Sequence, residues 1–201
     1  MESEMKTVVI TGSTRGIGLG LAREFLQRGH QVIVSGTSEQ SVANALEQLK
    51  GLGDMIGQPC RVEDYEAVQN LWNKGFERFG KIDIWINNAG ISTSKTILDE
   101  LALDEIHNTV DTNLIGSILC TKIAAKEMLK QGFGQIYMFE GFGSNGQLQK
   151  GITVYGSTKR ALRYFTAAAA NEYKDTPILI GSLSPGIVTT DLLIRASKDN
   201  S

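Results

Sequence analysis

Tyr155 and Lys159, four residues apart in ITVYGSTKRAL, form the chemically most pointed pair in the chain. On a helix that spacing puts both side chains on one face. A phenol titrates near ~10 in water, and a neighbouring ammonium favours the phenolate and lowers that value. A phenol tuned in this way is a general acid for a substrate oxygen, because a proton donor works best with a pKa near the working pH. Tyr-x-x-x-Lys also arises by chance as an exposed helix pair. Its position after the fifth apolar strand segment favours the chemical reading.

A second constellation lies near the start. Residues 11–18 read TGSTRGIG, between a β-branched run and an apolar-periodic helix. That context makes a glycine motif a candidate dinucleotide cradle. Gly12 permits the tight turn, Gly16 lets backbone approach a pyrophosphate, and Gly18 lets the helix pack on the sheet. Ser13, Thr14 and Ile17 complete the turn, and the amides at the helix start face the phosphates. The plain alternative is a glycine-rich turn with no ligand. Some twenty residues on, the second strand ends in Ser35, Gly36, Thr37 and Ser38, with no carboxylate to read a ribose 2′-hydroxyl. Arg15 sits in the turn instead. A cation with the hydroxyls of Ser35, Thr37 and Ser38 suits a 2′-phosphate. The expected cofactor is therefore NADP(H) rather than NAD(H), with a solvated loop arginine as the alternative reading of Arg15.

The elements that must position these groups alternate. Strands are expected over residues 6–10, 31–34, 54–60, 82–86, 135–139 and 177–183. Helices are expected over 16–29, 38–50, 64–79, 103–131 and 152–173, with a further short one over 190–195. Such alternation predicts an α/β fold, a doubly wound parallel sheet of Rossmann type with helices on both faces. The strands read as continuous apolar runs, the pattern of strands covered on both sides. Residues 1–201 read as one domain, without linker, repeat or low-complexity tract. Flexibility is expected at the termini and in residues 91–99 and 141–151.

The bulk numbers exclude several classes. The chain has 201 residues, with 20 basic against 22 acidic side chains and a net charge of −2. Its cations are spread along the sequence, so no nucleic-acid footprint is expected. Apolar stretches such as 176–183 fall far below the ~20 residues of a membrane span. The start, MESEMK, has no apolar signal core. A cytoplasmic location is expected, or a stromal one in a photosynthetic eukaryote. Cys60 and Cys120 read as two buried thiols. His30 and His107 are isolated, and no metal-ligand spacing occurs.

TGSTRGIG, NNAG at residues 87–90, Asn113, Tyr155-x-x-x-Lys159 and Pro185-Gly186 follow one another at fitting distances. Over residues 5–195 the chain resembles the short-chain dehydrogenase/reductase family. KIDIWINNAG, YGSTKRAL and LSPGIVTTDLL are similar to its chlorophyll(ide) b reductase branch, whose members reduce the formyl group of chlorophyll b with NADPH. The resemblance implies that Tyr155 protonates the substrate oxygen while the nicotinamide delivers hydride. It implies that Lys159 binds the nicotinamide ribose and lowers the Tyr155 pKa. Asn113 would hold a water linking Lys159 to solvent. Asn88, Ala89 and Gly90 would line the adenosine-ribose side. Pro185, Gly186, Ile187, Val188 and Thr190 would cap the nicotinamide amide. Asn87 is expected to tie neighbouring strands together.

The chain departs from the family pattern in three places. A serine commonly ends the fifth strand, hydrogen-bonded to the reacting oxygen, where this chain has Glu140 and Gly141. Three readings stand open: Ser144 replaces it, a backbone amide of residues 141–143 does, or polarisation is weak. Glu140 is either a second proton carrier or a carboxylate capping a glycine turn. Arg61 stands where an aspartate commonly meets the adenine, so a backbone contact near Val62 is expected to hold that ring. Arg61 itself stacks on the ring or points into solvent. Finally, the sequence ends in TTDLLIRASKDNS, so six strands are expected without a seventh. That leaves a more open pocket, suited to a large, flat carbonyl substrate. A homo-oligomer would then form through the helices carrying Asn113 and Tyr155. The function expected is an NADPH-dependent carbonyl reductase acting on an aldehyde or ketone. Its rival is an NADP(H)-binding sensor or partner subunit with little catalysis.

Overall fold

A computed structural model describes residues 4–186. Ile187, Val188, Thr190 and the helix expected over 190–195 lie outside the described residues. The elements are β1 (Thr7–Ile10), α1 (Gly16–Gln27), β2 (Gln31–Gly36), α2 (Glu39–Leu49), β3 (Met55–Pro59), α3 (Tyr65–Phe79) and β4 (Ile84–Asn87). After a single 3-10 turn (Leu98–Glu100) come α4 (Leu103–Val110), α5 (Gly116–Gln131), β5 (Gly134–Phe139), α6 (Thr153–Glu172) and β6 (Ile178–Leu183).

Local signals set these boundaries. Ser38 and Ser41 form a reciprocal cap at the start of α2. Asp64 accepts the Glu66 and Ala67 amides at 2.9 and 3.1 Å to open α3, and Gly80 closes it at φ +74°. Buried Val42, Ala45 and Leu49 recur at helical spacing and turn α2 onto the sheet.

All strand pairs are parallel, in the order β3-β2-β1-β4-β5-β6. This is a doubly wound Rossmann-type sheet. Its order reverses between β1 and β4, and ligands of such sheets bind outside the strand carboxyl ends at that point. One core joins Val9, Ile33, Trp85, Ile123 and Ile136 under α3, α5 and α6, with Trp72 and Trp85 stacked 6.0 Å apart. The other joins Val8, Ile10, Val32, Val34 and Leu26 under α1 and α2.

The fold differs from the sequence reading in two respects. The helix expected over 103–131 is interrupted at Asp111–Ile115 by one wider π turn. Such turns frequently mark functional positions, and this one contains Asn113. The expectation of strands covered on both faces holds for β1, whose four residues are all buried, and fails for β5 and β6. Those two alternate, with Gln135 and Leu179 exposed, because α1 and α2 pack over the β1–β3 half of that face.

Candidate active site

Five chain segments converge at the carboxyl ends of β1, β4 and β5. The glycine turn leaves β1 with Gly12 at φ +63° and Gly16 at φ +55°. A Cβ on Gly12 would lie 2.8 Å from the Ala89 Cα, so the turn sits directly on the NNAG segment. Thr11 clasps the two together: its Oγ1 accepts the Asn88 and Ala89 amides, both at 3.0 Å. The Asn88 Nδ2 donates to the Thr11 and Gly12 carbonyls at 2.9 and 3.1 Å, filling the space beside Gly18. Ser13 is wholly buried and stitches the turn to β2, donating to the Ile10 carbonyl and accepting the Ser35 amide.

This cradle fits a dinucleotide. The N-terminus of α1 has no side-chain cap and no acidic residue in its first turn, unlike α2 and α3. Its first amides are free for an anion. At the end of β2, Thr14 packs against Gly36, leaving no room there for a side chain. Thr37 and Ser38 are exposed beside it. Arg15 is exposed, and its guanidinium forms no hydrogen bond or ion pair among the described residues. Ser35 lies at this end too, but its Oγ is buried and has no hydrogen-bond partner, so its hydroxyl does not face out with the others. Val62 is buried and packs against Gly116. Arg61 is paired with Glu63 at 2.7 Å, its own side chain largely exposed. Asn87 is structural, as expected: it joins Trp85, Thr121 and Met138.

Tyr155 and Lys159 share the inward face of α6. The Lys159 Nζ donates to the Phe139 carbonyl at 3.2 Å and lies 5.8 Å from the centre of the Tyr155 ring. Lys159 is 6% exposed, and burial lowers its pKa to about 8. Burial raises the Tyr155 pKa above its ordinary value of 10.0. The expected lowering of Tyr155 by Lys159 is therefore not what the structure gives. Both groups are withdrawn from water, and desolvation disfavours phenolate and ammonium alike. Tyr155 is thereby held protonated at neutral pH, the form a proton donor needs.

Asn113 is fully buried beside them. Its Oδ1 accepts the Ile91 amide at 2.8 Å, and its Nδ2 donates to the Ile91 carbonyl and the Thr158 Oγ1 at 2.9 and 3.1 Å. Thr158 in turn donates to the Tyr155 carbonyl at 2.7 Å. Thr158 thus ties the π turn to the first turn of α6. The sequence reading passed it over, although a hydroxyl beside Lys159 in YGSTK was the available signal. Thr11 was missed likewise, as the residue before the glycines.

Gly141 explains the missing serine. A Cβ there would lie 2.5 Å from the Tyr155 Oη and 3.2 Å from the Lys159 Cε. The tyrosine hydroxyl stands against Gly141, where a side chain would project. Ser144 is buried, and its Oγ donates to Glu140 at 3.3 Å. Pro185 and Gly186 follow β6 at the same end of the sheet. Two surface clefts, of about 540 and 680 Å³, lie elsewhere. The first opens at the amino ends of β4, β5 and β6, where Asp83 is already paired with Lys6 and Lys81.

Comparisons with known proteins agree with this fold. The family model described as short chain dehydrogenase matches residues 6–201. The chain is 40% identical to the probable chloroplastic chlorophyll(ide) b reductase of Arabidopsis thaliana, over 96% of this chain and 43% of that protein. It therefore spans less than half the length of that relative. It is 33% identical to a 3alpha-hydroxysteroid dehydrogenase of Mediterraneibacter gnavus, over 94% of this chain and 76% of that one. Among solved structures, a tyrosine-to-phenylalanine variant of ElxO with NADPH bound superposes with a TM-score of 0.87 at 30% identity, covering 98% of this chain and 79% of that one. With its glycine turn, NNAG segment and Tyr155–Lys159 helix gathered at one end of a doubly wound sheet, the chain belongs to the short-chain dehydrogenase/reductase family of oxidoreductases.

Proposed function

We propose that the chain is an NADP(H)-dependent carbonyl reductase in which Tyr155 is the proton donor. The observation that carries this reading is the Tyr155 hydroxyl against Gly141, with the buried Lys159 ammonium beneath it. Pyrophosphate would rest on Gly12, Ser13, Gly16, Ile17 and Gly18 at the start of α1. Arg15, Thr14, Thr37 and Ser38 would hold a 2′-phosphate, supported by the unpaired Arg15 and by the lack of a carboxylate at the end of β2. Adenine would meet the backbone at Val62, and Asn88, Ala89 and Gly90 would line the adjoining ribose. Lys159 would bind the nicotinamide ribose, and Pro185, Gly186, Ile187, Val188 and Thr190 would close over the amide. Bound NADPH supplies the hydride. Tyr155 donates a proton to the carbonyl oxygen, and Lys159, largely charged at neutral pH, stabilises the phenolate left behind. Asn113 holds the proton route open beside Lys159. Because Ser144 is engaged by Glu140, the backbone of residues 141–143 is the second support for the carbonyl oxygen.

The substrate is an aldehyde or ketone, in its sharpest version a chlorophyll b-type formyl group. Supporting a large, flat, apolar substrate are Phe142 and Leu148, both exposed on the loop that follows Gly141. Self-association through α5 and α6 belongs to the same proposal: Ile115 and Leu129 are exposed beside and on α5, and Tyr164 on α6. The test is NADPH oxidation over a panel of aldehydes, including a formyl tetrapyrrole, by wild type and Tyr155→Phe. Activity in wild type that falls in the variant is expected. Equal rates in the two proteins would overturn the assignment.

A further inference from the structure

Glu140 follows β5 and is not accounted for by the reaction. Its carboxylate is 13% exposed. Oε1 accepts the Ser182 hydroxyl at 3.0 Å, and Oε2 accepts the Ser144 hydroxyl at 3.3 Å. Its own amide donates to the Leu183 carbonyl at 2.9 Å. Arg163 of α6 approaches Oε2 at 3.9 Å, a half-exposed and therefore weak contact. One carboxylate thus joins the end of β6 to the turn after β5.

That turn is built to transmit the constraint. The Ser144 amide donates to the Gly141 carbonyl at 3.1 Å, and the Gly146 amide to the Gly143 carbonyl at 2.9 Å. Arg160 of α6 donates to the Ser144 carbonyl at 3.0 Å. Gly143 lies so close to α6 that a Cβ would come within 2.7 Å of the Gly156 Cα, the residue after Tyr155. Fixing Ser144 therefore fixes the Gly141 backbone against the Tyr155 hydroxyl.

We infer that Glu140 is a positioning residue: its carboxylate clamps the turn of residues 141–144 to the end of β6 and so sets where Tyr155 and the Gly141 backbone stand. Both its oxygens are engaged by hydroxyl donors, which favours a clamp over a proton carrier. The inference rests on the proposed reductase reading for its catalytic consequence but not for its structural one.

The experiment compares wild type, Glu140→Ala, Glu140→Gln and Ser182→Ala by amide hydrogen exchange and by steady-state kinetics with NADPH and an aldehyde. Losing a charged acceptor is expected to speed exchange at Ser144 and Gly146 by about tenfold or more in Glu140→Ala. Its kcat should fall by a similar factor, with the KM for NADPH within about twofold of wild type. Glu140→Gln keeps an acceptor oxygen and should restore most of the protection and rate. Ser182→Ala removes only the β6 arm and should give an intermediate result. Wild-type exchange at Ser144 and Gly146 in Glu140→Ala would overturn the inference. If Glu140→Ala does not fold, unchanged exchange in Ser182→Ala would overturn it. If wild type reduces no aldehyde, the reductase reading fails, and the exchange measurements still decide on Glu140.

Discussion

Lys159→Met is expected to change the pH dependence of stability in a calculable way. Burial lowers the lysine from 10.5 to about 8. That fall disfavours the charged form in the folded protein by ~3 kcal/mol. Below about pH 8 the penalty is present in full. Between about 8 and 10.5 the unfolded chain binds more protons than the folded one, so wild-type stability rises with pH across that window. Methionine keeps the apolar stem and carries no charge, so this dependence vanishes. The variant also loses the hydrogen bond to the Phe139 carbonyl, worth ~1.5–3 kcal/mol for a charged donor. At pH 7 the two effects oppose each other; at pH 10 Lys159 is neutral in the folded protein, the penalty has largely gone, and the loss of an ordinary hydrogen bond remains. From pH 7 to pH 10 the stability difference should move by about 2–3 kcal/mol in favour of wild type. Urea unfolding followed by the buried Trp72 and Trp85 measures it. Tyr155, raised by burial, acts in the opposite sense only above its ordinary value of 10.0, so the readings stop there. Parallel stability profiles for the two proteins would refute the buried, desolvated lysine.

Three other substitutions test the cradle and the turn. Arg15→Ala should weaken NADPH binding by about 10- to 100-fold, the loss of one or two charge-assisted hydrogen bonds, and leave NADH unaffected in equilibrium titration. Gly141→Ser restores the family's common residue but places a Cβ 2.5 Å from the Tyr155 Oη. It should lower kcat by at least about tenfold rather than raise it. Gly12→Ala combines φ +63° with a Cβ 2.8 Å from the Ala89 Cα. It should lower the unfolding free energy by about 1–3 kcal/mol, measured by denaturant titration.

The fold was legible because its signals are local and repeated. β-Branched runs and glycines at turn positions each act within a few residues, as do the caps the structure shows at Ser38 and Asp64. The site was legible as a set of residues but not as a geometry. Nothing between residues 103 and 131 announces the π turn. It arises where Asn113 bonds to the Ile91 backbone and to Thr158, partners 22 and 45 residues away. The exposed alternation of β5 and β6 depends on which helices cover them, a tertiary property. Charge inference from neighbours alone also misled: Lys159 was expected to lower Tyr155, whereas burial governs both. Gly141 was visible as a departure from the family. Its reason, the tyrosine hydroxyl standing against it, appears only when β5 and α6 are brought together.

The central claim is that Tyr155 gives its proton to a carbonyl while NADPH is consumed. The most direct measurement is single-turnover oxidation of bound NADPH by an aldehyde, in wild type and Tyr155→Phe, with cofactor affinity measured alongside. A general acid contributes typically 10²–10⁴-fold. The account predicts a loss of about that size in the variant at unchanged NADPH affinity. Equal rates of NADPH oxidation in the two proteins would contradict it.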